Sequence, residues 1–166
     1  MNKLNVLSLI GYLCLIACVR PDKGSQMAAS SETEAAITAI RGAYAAFNRG
    51  DIDGAVEPLD EQIEWEEPAE FPGGGTYHGH QSIKRYLTQS RAAWAEVSSQ
   101  PERFIPAGDR IVVFVHARVR AKGSNEWQDV RLADVYTMRG GKAIQMRAFR
   151  DREEALRWVG IQDRNH

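Results

Sequence analysis

Cysteine is scarce: the chain has two, Cys14 and Cys18, and both fall in its first eighteen residues. The rest of the chain can therefore hold no disulfide, thiol nucleophile or thiolate metal site. Charge of one sign is lacking as well. A formal net charge of −1 leaves no basic excess to neutralise phosphates, so nucleic acid is not an expected partner. Long apolar runs are also missing. The longest, from Val6 to Ala17, falls well short of the ~20 residues that a bilayer-spanning helix needs. The chain carries no glycine-rich phosphate loop. His78 and His80 form "HGH", but no third ligand stands at a convincing spacing, so neither a metal nor a cofactor is expected.

What is present suits one globular domain. The chain has 166 residues, 43% hydrophobic and 26% charged, enough for a proper core. Its first part reads separately. "MNKLNVLSLIGYLCLIACVRP" has a lysine, a short apolar run and then a cysteine, the layout of a secretory signal. Leu15-Ile16-Ala17-Cys18 resembles a bacterial lipobox, which implies a signal peptide over residues 1–18 and a lipid on Cys18. The expected location is then the cell envelope, with contact to a membrane only through that lipid. Met27 opens "MAASSETEAAI", a second possible start that would leave the protein cytoplasmic. Residues 19–31 are polar and small and read as a tether; the domain is expected over residues 32–162.

Within the domain, Ser31-Glu32-Thr33-Glu34 has the pattern of a capping box. Ile37, Ile40, Tyr44 and Phe47 follow at helical spacing. Gly50 ends that helix and Asp51 caps a short second one. Ile83, Leu87, Ser90 and Trp94 mark a third helix. After Pro101 the pattern becomes strands: "RIVVFVHARVRAKG", "DVRLADVYTM" and "AIQMRAF", the last two joined by the turn "RGGK". "DREEALRWVG" closes as a short helix. The order predicts an α+β fold, with helices packed on one side of a curved antiparallel sheet.

One strand carries an anomaly. In "IEWEEP", residues 63–68, alternation puts Ile63, Trp65 and Glu67 on one face and Glu64 and Glu66 on the other. The face with isoleucine and tryptophan is the buried one, so Glu67 is a carboxylate on an apolar side. Desolvation beside Trp65 would raise its pKa toward general-base values. Asp134 is a second such residue. It shares a face with Val130, Leu132 and Tyr136, while Ala133 and Val135 make the opposite face apolar too, so its charge must be paired or neutralised. An outer face carrying Ala133 and Val135 also calls for a covering partner, and a homodimer is expected.

The segments "AYAAFNRGDIDGAV", "EWEEP…YHGHQSIKRYL", "AGDRIVVFVHARVRAKG" and "LADVYTMRGGKAIQMRAF", in this order, resemble the nuclear transport factor 2-like superfamily. The whole pattern is most similar to its SnoaL-like group, which includes polyketide cyclases related to ketosteroid isomerase. The resemblance implies a conical sheet with three N-terminal helices on its concave side and an apolar pocket within. Against ketosteroid isomerase, Glu67 falls at the general base and Asp134 at a protonated aspartic acid that donates to the substrate oxygen. The isomerase's oxyanion tyrosine falls on Ala43, with Tyr44 about 100° away around the helix. The Arg-x-Asp unit of limonene epoxide hydrolases is absent, because Leu132 stands two residues before Asp134.

These residues leave two readings open. One is a pocket protein that binds a small, mostly apolar molecule. The other is a cofactor-independent acid/base enzyme (isomerase, cyclase or dehydratase) with Glu67 and Asp134 as catalytic groups. Tyr44, Trp65, Phe71, Tyr77, Trp94, Tyr136, Met146 and Arg150 are the candidate ligand contacts, and Arg150 is a possible partner for either carboxyl. The envelope expectation has its own test. Cys18→Ala should abolish lipid labelling in a bacterial host and release the protein from membranes; an unlabelled wild-type protein starting at Met27 would contradict it.

Overall fold

A computed structural model describes residues 23–161; the signal segment, Cys18 and the start of the tether lie outside them. The elements are α1 (Lys23–Arg49), α2 (Ile52–Val56), β1 (Leu59–Glu67), β2 (Gly75–His78), α3 (Gly79–Ala93), β3 (Glu96–Ala107), β4 (Arg110–Arg120), β5 (Trp127–Arg139), β6 (Lys142–Phe149) and α4 (Arg152–Trp158). Among the described residues no helix is long and apolar enough to cross a membrane.

The first helix begins earlier than the capping box predicts. Residues 23–31, read as tether, are its first turns, and Thr33 donates back to the Ala29 carbonyl at 2.9 Å from inside the helix. A run rich in alanine and serine with neither proline nor a turn signal after Lys23 has little reason to break a helix. The buried face of α1 starts only at Ala36 and continues through Ile37, Ile40, Tyr44 and Ala46. Gly50, at φ 85°, stops the helix. Asp51 then accepts from the Gly54 amide at 2.8 Å and caps α2 as expected.

Six strands form one curved sheet in the order β2-β1-β6-β5-β4-β3. All neighbours are antiparallel except β1 and β6, which run parallel. The "RGGK" turn joins β5 to β6, with Gly140 and Gly141 both at positive φ, the geometry of a two-residue hairpin that favours glycine. Two boundaries differ from the sequence reading. Helix α3 ends at Ala93, and Trp94 is already extended at φ −108°, ψ 157°. Strand β3 starts at Glu96, ahead of Pro101. It is one of the sheet's two edge strands and has a bulge between Pro101 and Arg103, where a missing N–H is tolerated.

The sheet has an apolar layer on each side. On the inner side, α1, α2 and α3 pack against Ile63, Trp65, Ile111, Val113, Val115, Tyr136, Met146 and Ala148. On the outer side, Val112, Ala133, Val135 and Phe149 form a smaller cluster with Ala155 and Leu156 of α4. The Arg110 guanidinium lies 4.3 Å from the centre of the Trp158 ring at the same helix. Val135 is 1% exposed within the single chain. The outer face that called for a second copy is thus covered by the chain's own last helix, and that ground for a homodimer falls. Farther along the same face the sheet is charged rather than apolar: His116 and Arg118 both meet Asp129, at 2.6 and 3.2 Å, and Arg120 meets Glu96 at 2.7 Å.

Strand alternation sorts the three glutamates as expected. Glu64 and Glu66 point to the outer side, where Gln145 donates to Glu64 at 3.0 Å and Arg147 lies 3.3 Å from Glu66. They are half-buried under these β6 partners rather than free in water. Glu67 points inward.

Candidate functional site

Between α1, α3 and the inner face of the sheet lies a cavity of about 760 Å³, within the size range of small-molecule sites. Glu67 and Asp134 both line it. So do Tyr44, Trp65, Phe71, Tyr77, Trp94, Tyr136 and Arg150, all candidate contacts from the sequence. Met146 does not. It is fully buried in the core, paired in register with Trp65 on one side and Tyr136 on the other, and these larger side chains take the lining positions.

Glu67 stands at the end of β1, where the Trp65 indole donates to its Oε1 at 2.8 Å. Their i, i+2 spacing on one strand face brings the two groups together. Burial raises the Glu67 carboxyl above its ordinary 4.5, and the Trp65 and Tyr86 donors beside it hold the rise back. Asp134 lies mid-strand on β5, 8% exposed, and is the one buried charged residue among the described residues. Burial and the neighbouring Glu67 charge push it up to about 7, against a hydrogen bond from Tyr44. Each carboxyl is held by neutral donors and has no ion pair among the described residues. Arg150 pairs with neither; it is exposed at the cavity's edge.

Tyr44 departs from the sequence reading. Although Ala43 takes the aligned position, both residues line the cavity, and the Tyr44 hydroxyl donates to Asp134 Oδ2. A step of 100° per residue still leaves neighbouring positions on one broad helix face, and the long phenol covers the remaining offset. Tyr136 donates in turn to the Tyr44 hydroxyl at 3.2 Å, so a chain of oxygens runs Tyr136–Tyr44–Asp134. Burial and nearby carboxyls hold both phenols well above the ordinary tyrosine value, so they remain protonated donors. Sequence reasoning missed Tyr86. It stacks on Tyr77 with ring centroids 4.5 Å apart and is likewise raised by burial and by Glu67. Its signal was available, since it stands three residues after Ile83 on the inward face of α3.

The segment after Pro68 closes one end of the cavity with Phe71, Pro72 and Gly73. The Phe71 amide bonds to the Pro68 carbonyl at 3.0 Å and the Gly74 amide to the Phe71 carbonyl at 2.8 Å. A side chain at Gly74 would meet the Pro68 carbonyl at 2.2 Å, so only glycine fits there. His80 bonds to the Leu59 carbonyl at 3.0 Å, and no group of three metal-binding side chains occurs among the described residues.

Comparison with known proteins adds the following. The family model described as "SnoaL-like domain" matches residues 40–146. No curated protein matches the chain. Among solved structures, an NTF2-like protein of unknown function from Burkholderia pseudomallei is 27% identical, with a TM-score of 0.64 over 75% of this chain and 97% of that one. TerC, co-crystallised with polyporic acid, is 29% identical, with a TM-score of 0.64 over 76% of this chain and 98% of that one. A Mycobacterium tuberculosis protein in complex with estradiol-17beta-hemisuccinate shares the fold at 16% identity, with a TM-score of 0.58 over 69% and 92% of the two chains.

Asp134 makes stability depend on pH in an unusual direction. Unfolded, it ionises near its ordinary 3.8; folded, it holds its proton up to about 7. Between those values the folded state binds more protons than the unfolded one, so its contribution falls as pH rises and levels off above 7. The full difference is on the order of 4 kcal/mol. Urea unfolding of wild type and Asp134→Asn at pH 4 and pH 8 checks this: relative to the variant, the wild type should lose stability between the two pH values. A constant difference would contradict it.

Proposed function

The chain belongs to the SnoaL-like domain family, and we propose that its cavity binds a small, mostly apolar molecule and moves a proton on it without a cofactor. One observation carries this reading. Two carboxyl groups share one desolvated cavity, both are pushed above their ordinary values, and each is held by its own neutral donors.

Such a pair titrates as a unit. With one proton between them, the two groups can divide the tasks of base and donor. Glu67, oriented by the Trp65 indole, removes a proton from a carbon beside a carbonyl group. Charge then develops on the carbonyl oxygen, where the protonated Asp134 carboxyl donates a hydrogen bond, itself supported by the Tyr44 hydroxyl that donates to its other oxygen. Return of the proton to another carbon gives an isomer. Loss of a neighbouring hydroxyl as water, with that proton passed to it from Glu67, gives dehydration, and attack on a second carbonyl whose oxygen takes the proton gives a cyclised product. The aromatic walls suit an apolar body and keep water from competing. Polyporic acid with TerC and estradiol-17beta-hemisuccinate with the mycobacterial protein accord with a small-molecule occupant. In this proposal the domain works in the cell envelope, held by lipid on Cys18.

A second reading has an observation in its favour. The Tyr44 hydroxyl already donates its one hydrogen bond to Asp134, so it is committed inside the fold and not free to meet a ligand oxygen. The pocket would then hold a ligand without turning it over.

Deuterium incorporation into an enolisable ketone separates the two. With 2-tetralone in D2O, followed by NMR, the wild type should accelerate exchange beside the carbonyl. Glu67→Gln should lower that rate by about a hundredfold or more while circular dichroism stays unchanged. Exchange no faster than in buffer, or equal for wild type and variant, would leave only the binding reading.

A further inference from the structure

The cavity's two carboxyls lie inside, but its lining also includes a guanidinium. Arg150 follows directly after β6, on the strand parity that Ala148 directs to the inner side. Ala148 is the register partner of Asp134. Arg150 therefore roots two residues beyond the Asp134 level, about 7 Å farther along the strand direction, at the open end of the cavity.

Three other arginines in or beside the sheet are already held by carboxylates. Arg147 meets Glu66, Arg120 meets Glu96 and Arg152 meets Glu102. Arg150 is exposed and has no hydrogen bond or ion pair among the described residues. The other charged residues in the lining are accounted for differently. Asp129 is taken by His116 and Arg118. Arg131 pairs in register with His116, on the parity of the outer face, where its charge acts on Glu102. Glu70, in the segment after Pro68, is exposed and makes no ion pair with Arg150.

The geometry points to a substrate class: an apolar compound with its carbonyl group at the Tyr44–Asp134 end and a carboxylate at the other, held at the mouth by Arg150. This rests on the proton-transfer reading for the carbonyl end only. The polarity of the cavity makes the orientation one-way. A carboxylate placed inward would face Glu67 and Asp134 with no cation to offset it. Placed outward, it meets a planar donor pair without displacing an existing partner, and it stays partly hydrated. Arg150 would thus fix which end of the molecule enters and set the carbonyl over the carboxyl pair.

The test uses two probes that differ in one group, 4-(4-oxocyclohexyl)benzoate and its neutral primary amide, with binding measured by calorimetry at pH 6, where Asp134 still holds its proton. Wild type should prefer the carboxylate by about tenfold, the value of one charge-assisted contact at a partly exposed site, and added salt should shrink that margin. Arg150→Gln should abolish the preference, and Arg150→Lys should restore part of it. Glu67→Gln should stop deuterium exchange into the cyclohexanone yet keep the preference, so the two proposals fail separately. Absent exchange with the preference intact would overturn proton transfer alone. Equal affinity of wild type for both probes, a preference that survives in Arg150→Gln, or no binding of either probe would overturn the assignment of Arg150.

Discussion

The hydrogen bond from the Tyr44 hydroxyl to Asp134 ties the first helix to the middle of the sheet, and much of the inner architecture depends on it. Asp134 is the one charged residue buried among the described residues. A carboxyl group without a partner at that depth would cost several kcal/mol. The Tyr44 donor offsets part of that cost, and retention of the proton up to about pH 7 offsets more. To supply the donor, α1 must lie across the sheet with Tyr44 over β5. Ile37 and Ile40 secure that placement by burying the same helix face. The cavity is the space that this arrangement leaves between helix and sheet.

The second carboxyl illustrates how strand parity creates function from composition. Three glutamates within four residues look redundant until the strand assigns them. Glu64 and Glu66 find Gln145 and Arg147 on the outer side, where water and partners screen them. Glu67 has the same chemistry, but it faces Trp65, Tyr86 and the second carboxyl across a desolvated space. Its raised pKa comes from the face it occupies rather than from any special neighbour in sequence.

Much of this was legible beforehand, because it rests on local periodicity. Alternation in "IEWEEP" placed Glu67 inward, the apolar residues at 37, 40 and 44 marked the buried side of α1, and Asp51 and "RGGK" announced a cap and a turn. Family likeness supplied the fold. What escaped depends on distance in three dimensions. The reach of Tyr44 follows from the span between helix and sheet, which residue spacing does not give. Tyr86 meets Glu67 only once α3 has folded back over β1. Ala133 and Val135 call for a cover, but nothing in β5 tells a partner subunit from α4, which the chain supplies itself after β6. Met146 looked like lining because its strand parity is correct; its larger neighbours decide that it is core.

Taken together, the interior is acidic and aromatic, the outer face is charge-paired beyond the part that α4 covers, and the mouth holds Arg150, exposed and without a protein partner among the described residues. That gradient gives the cavity a direction as well as a volume. Everything chemical in the account requires that Glu67 and Asp134 feel each other. NMR titration of the two side-chain carboxyl carbons, in wild type and in each single amide variant, tests this most directly. The account predicts that both groups titrate above their ordinary values and that Glu67→Gln, which removes the neighbouring charge, lowers the pKa of Asp134. Two ordinary, independent titrations, unchanged in the variants, would contradict it.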